Sequence, residues 1–126
     1  MKTLTMLCLL LAFAIGCDGP SPIASGPSTE MSGRLEAALA MKDGTSRHNT
    51  LVKLAEDAAQ AGNGVVVLKA IAAVDAGTAR DNTCAICSGA LARQGKTSEA
   101  TAIAKEIANE TARNNALAQI ASGGKE

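Results

Sequence analysis

The chain has 126 residues, 12 Lys and Arg against 12 Asp and Glu, one His and a single aromatic residue, Phe13. A balanced charge gives no basic surface for phosphates, and the near-absence of rings leaves no stacking platform for bases, so nucleic-acid binding is excluded. An aromatic-lined ligand pocket is excluded for the same reason, while 26 alanines favour closely packed helices over strands.

Taken in chain order, Met1-Lys2 supplies a positive start and Thr3 to Gly16 a largely apolar run of 14 residues. A bilayer-spanning helix needs about 20 residues, so this run suits the apolar core of a secretory signal instead. It ends Ala14-Ile15-Gly16-Cys17, followed by Asp18-Gly19-Pro20. Small residues before a cysteine in this setting resemble the lipobox of bacterial lipoproteins, although Ala14 stands where that family prefers Leu. The resemblance implies cleavage after Gly16, acylation of Cys17 and a stable hold on a lipid bilayer, since two or three acyl chains anchor where one does not. Asp18 resembles an inner-membrane retention signal, which implies the periplasmic side of that membrane. A plain signal peptide or a buried helix are the other readings of residues 1–16.

Residues 17–32 hold all three prolines (Pro20, Pro22, Pro27) among Ser and Gly and lack apolar periodicity. They read as a flexible tether. Residues 33–122 then form one helical domain, and 123–126 a short tail.

Within that domain the sequence repeats itself at 33 residues. Thr45, Thr78 and Thr111 align, as do Arg47, Arg80 and Arg113, and Asn49, Asn82 and Asn115. Gly62 aligns with Gly95, and Met41 with Val74 and Ile107. Such a period means one supersecondary unit stacked on its neighbours. Each unit reads as two helices. Thr78 is placed as an N-cap with Asp81 three residues on. Cys84, Cys87 and Leu91 fall on one helix face, in register with Leu51 and Leu54 before and Leu117 and Ile120 after. Gly95 closes the helix with positive φ. Six helices are predicted, about Ser32–Asp43, Thr45–Ala61, Val65–Ala76, Thr78 to Gly95, Ser98–Ala108 and Ala112–Ser122: all-α, a short α-solenoid of antiparallel pairs.

The run Gly95-Lys96-Thr97-Ser98-Glu99-Ala100 resembles the turn of the tetratricopeptide repeat, with Gly95 as its glycine and Ala100 and Ser88 as its small residues. The period is 33 rather than 34, the family's aromatic packing residues are missing, and Val66-Val67 replaces Glu-Ala in the earlier copy. An irregular bundle or a HEAT-like stack are the alternative architectures. The resemblance implies a concave peptide-binding face that includes Asn49, Asn82, Asn115, Val52, Glu56, Ala85, Arg93 and Ala118. A ladder of amides, each donor and acceptor, suits the backbone of an extended peptide. The competing reading makes Thr-x-Arg-x-Asn an inter-repeat fastener: Thr caps, Arg binds the preceding helix end, and Asn bridges first turns.

Cys84-Ala85-Ile86-Cys87 invites a redox reading, but the register places both thiols in the core, where free Cys packs as a small hydrophobe. A local disulfide is the intermediate option. His48 with the two thiols supplies three zinc ligands where a closed site wants four. With no phosphate loop and no nucleophile elbow, neither catalysis nor a cofactor is expected. The functional expectation is a membrane-anchored envelope lipoprotein presenting a helical-repeat module to an unidentified protein. An assembly factor, a small inhibitor or immunity lipoprotein, and a redox protein are the alternatives.

Overall fold

The computed structural model describes residues 27–123, all of whose regular structure is helical. Six helices follow one another: α1 (Pro27–Leu39), α2 (Gly44–Gln60), α3 (Gly64–Ala72), α4 (Thr78–Arg93), α5 (Thr97–Ala104) and α6 (Glu110–Ala121). Signal cleavage after Gly16, acylation of Cys17 and the role of Asp18 all concern positions outside the described residues. No helix among the described residues is long and apolar enough to cross a membrane.

Consecutive helices pair as hairpins, and the pairs stack. The odd helices pack α1 on α3 and α3 on α5; the even helices pack α2 on α4 and α4 on α6. Two rows result, with the core between them. Small residues make this possible: Ala55, Ala58, Ala70, Ala100 and Ala104 are wholly buried alongside Leu51, Leu54, Ile71, Leu91 and Ile103. The thiols of Cys84 and Cys87 are also fully buried.

The tight turns come from glycine. Gly62 and Gly95 have φ of 72° and 76°, a conformation that costs any residue with a Cβ. Each completes the same pair of bonds at a helix end. Asn63 N donates to Ala58 O (2.8 Å) and Gly62 N to Ala59 O (3.0 Å); 33 residues on, Lys96 N donates to Leu91 O (3.0 Å) and Gly95 N to Ala92 O (2.9 Å).

Several expectations need correction. The helix predicted from Ser32 begins at Pro27, so the last six residues assigned to the tether are helical; a proline whose missing N–H is not needed suits the first helical position. Helices α1, α3 and α5 stop four residues early, at Leu39, Ala72 and Ala104. Val74 and Ile107, beyond those ends, are buried all the same, but Met41 in their column is 37% exposed. Leu117 is only half-buried, and the packing of α6 falls on Ala116 and Ile120. Met41 lies two residues past α1 and Leu117 on α6, so both exceptions fall at the ends of the stack, where a neighbour on one side is missing among the described residues.

Helix starts differ from the reading as well. Thr78 is not the N-cap of α4; Gly77 is, without a side-chain cap bond. Thr45 and Thr111 lie one residue inside α2 and α6, whose caps are Asp43, accepting from Ser46 N (3.0 Å), and Asn109, accepting from Ala112 N (2.9 Å). Asp43 and Asn109 are two periods apart, with Ala76 between them. The capping column therefore sits two residues before the threonines, and its middle copy has lost its side-chain oxygen.

Candidate functional site

Helices α4 and α6 lie side by side with a shallow groove between their N-terminal halves. Thr78, Asp81 and Asn82 of α4 face Asn109, Thr111, Ala112 and Asn115 around a space of about 460 Å³. A second concavity shares Ala112 and Asn115 and carries the groove on past Ala85, Ala116 and Gln119. Asn82 and Asn115 are exposed, and among the described residues neither amide bonds a neighbouring group.

Gly89, buried on α4, leaves room for the Gln119 amide: a Cβ built there would stand 3.3 Å from Gln119 Oε1. Any larger residue would push Gln119 outward. The groove's far wall is held by Asp81, whose two carboxylate oxygens accept from Ala108 N (2.9 Å) and Asn109 N (3.0 Å). Those backbone bonds hold the Asp81 carboxyl below the usual carboxylate range. Its acceptors thereby serve the α5–α6 link, and the Asn82 and Asn115 amides share the groove with the Thr78 and Thr111 hydroxyls.

Of the residues placed on the binding face from sequence, Asn82, Ala85 and Asn115 come together here. Asn49 is exposed on α2, and Val52 and Glu56 are half-buried on the same helix; none of the three lines this groove. Arg93 and Ala118 are exposed outside it. One contributor escaped the sequence reading. Gln119 lies one turn beyond Asn115, a spacing of four on a helix that could have flagged it. Ile86, one turn beyond Asn82, is 52% exposed but lies outside the groove's lining.

The fastener reading is met only in part. Arg113 Nη1 donates to Ile107 O (3.2 Å), just past the end of α5, as a fastener should. Arg80 instead pairs with Glu106 (2.9 Å). The threonines do not cap, and the asparagines do not bridge. Links between repeats come from elsewhere: Asp81, and Gln94, whose Nε2 donates to Ala59 O (2.8 Å) across to α2.

Cys84 and Cys87 are free thiols. Burial pushes them up to about 11 and about 12, so both are protonated at neutral pH. A redox pair needs an accessible, acidic thiol, and the sulfurs here are the opposite. His48 is half-buried near the start of α2, and among the described residues no three His, Cys, Asp or Glu side chains converge as a metal site, which separates it from the two thiols.

Fold and groove together define a helical-hairpin stack with an amide-lined surface channel. Compared with protein-family models, curated proteins and solved structures, the chain matches none of them.

Proposed function

We propose that this chain is a membrane-anchored lipoprotein of the bacterial envelope whose helical stack, a short solenoid, holds an extended segment of a partner protein. The observation that carries the reading is the grouping of Asn82, Asn115 and Gln119 along one groove, the two asparagine amides unclaimed by neighbours. A peptide in extended form presents alternating N–H and C=O groups, and a side-chain amide answers either. Ala85, Ala112 and Ala116 offer small apolar contacts beside them. Without aromatic anchors the affinity is modest, because aromatic and Arg side chains supply most interface hot spots.

A photo-reactive residue at position 115 in the full-length, membrane-bound protein tests this. The reading expects one dominant crosslinked protein, lost when Asn82 and Gln119 are both changed to Ala while the thermal midpoint holds. A midpoint that falls with the double change, or crosslinks spread evenly over envelope proteins, would count against a binding groove. Palmitate labelling that persists after Cys17→Ala would remove the anchor and leave the groove untouched.

A further inference from the structure

In the inner even-numbered helices, two columns of the 33-residue register are closed. Leu51 and Cys84 are fully buried, and so are Ala55 and Ser88. At the same register positions α6 carries Leu117, half-buried, and Ala121, exposed. The complementary situation exists on α1 and the residues just after it. Ala70 and Ile103 are buried, while Ala37 in their column is exposed; Val74 and Ile107 are buried, while Met41 is open. One chain thus displays an even-type helix lacking its odd-type partner and an odd-type helix lacking its even-type partner. Inside the chain, faces of these two kinds meet where α2 packs on α3 and α4 on α5.

Charge does not oppose the match. Leu117, Ala121, Ala37 and Met41 are all uncharged. Arg34 is the one charge in the α1 columns, in register with Val67 and Ala100. Its guanidinium is drawn 2.8 Å from Asp57 on α2 of its own chain, leaving its apolar stem for a neighbour.

We propose that α6 of one copy docks on α1 of a second copy, continuing between chains the packing that α4 and α5 make within one. The two faces differ, so the contact is head-to-tail, and each added copy leaves one face of each kind free. A single helix pair falls short of the roughly 1,000 Å² that marks a stable interface. Assembly is therefore weak in dilute solution and strengthens where copies are concentrated on a surface. The contact uses the side of α6 away from the amide groove and does not depend on it.

The test is disulfide trapping in the full-length membrane-bound chain, with Leu117→Cys and Met41→Cys introduced together or separately. Cysteine at 117 is what the column already carries at 84, so the fold should accept it. The proposal expects a ladder of dimers, trimers and larger species from the double variant. It expects dimers alone from a mixture of the two single variants, and monomer from either single variant by itself. Adding Ala121→Arg should abolish the ladder with helix content unchanged by circular dichroism. Dimers from one single variant would mean that like faces meet. Monomer throughout, or an adduct with a foreign protein, would equally overturn the head-to-tail contact.

Discussion

Hairpins α2–α3 and α4–α5 turn through the same glycine geometry, yet they are secured by different means. The first begins with a true side-chain cap, Asp43, and is braced on its outer side by Arg34 and Lys53, each 2.8 Å from Asp57. The second begins uncapped at Gly77 and is braced inward, through Asp81 and Arg80, to the links beyond α5. Its core positions also carry cysteine where the first carries leucine. The backbone turn is thus the repeated unit, and the fasteners are local solutions laid over it.

The comparison can be broken most forcefully in the core. Leu54→Ala removes a fully buried side chain and should cost about 3 kcal/mol, lowering the thermal midpoint by roughly 15 °C for a domain this size. Cys87→Ala in the same column removes one sulfur and should cost about 1 kcal/mol. Equal losses in calorimetry would show that the second hairpin is not the more lightly packed of the two.

Next come the turns. Both glycines have positive φ, but a Cβ at Gly62 would lie 2.7 Å from Gln94 Oε1 and 2.9 Å from Lys96 Cε, whereas Gly95 has open space. Gly95→Ala should cost about 1 kcal/mol from backbone conformation alone. Gly62→Ala should cost about 2 kcal/mol, because it also displaces the Gln94 link. Denaturation midpoints that rank the two the other way would break the argument.

Smaller effects should appear in the pH profile. Hydrogen bonds from Lys53 and Arg34 hold Asp57 below its ordinary value, and backbone N–H groups do the same for Asp81. A carboxyl depressed on folding adds stability above its unfolded value, and that stability is lost as pH falls through the folded value. The midpoint should stay flat down to about pH 5 and decline below about pH 4. The thiols act with opposite sign. Their raised values favour the folded state below about pH 8.5, and that contribution disappears as pH climbs toward about 11 and about 12. Asp81→Asn should trim the acid limb and Cys84→Ala the alkaline one, each by a few degrees at most.

Reading the sequence recovered the six helices because period, alanine content and turn glycines are local signals that agree with one another. It misplaced the caps because Thr45, Thr78 and Thr111 recur visibly, while the working column of Asp43, Ala76 and Asn109 is broken in its middle copy. It missed α1's first turn because a proline among serines suggests a linker until something packs on it. Half of the candidate groove was legible, through the asparagine register. Gln119 had only its helical spacing from Asn115 to mark it, the room above Gly89 being invisible in sequence, and the Asp81 and Gln94 links join residues 27 to 35 apart.

The buried thiols have a practical consequence. The chain holds no Trp and no Tyr, so the usual optical reporter of opening is missing. Cys84 and Cys87 sit at the centre of the stack, and a thiol reagent reaches them only when α4 separates from its neighbours. Their labelling rate therefore reads the free energy of that separation, a built-in clock for how often the middle of the stack comes apart.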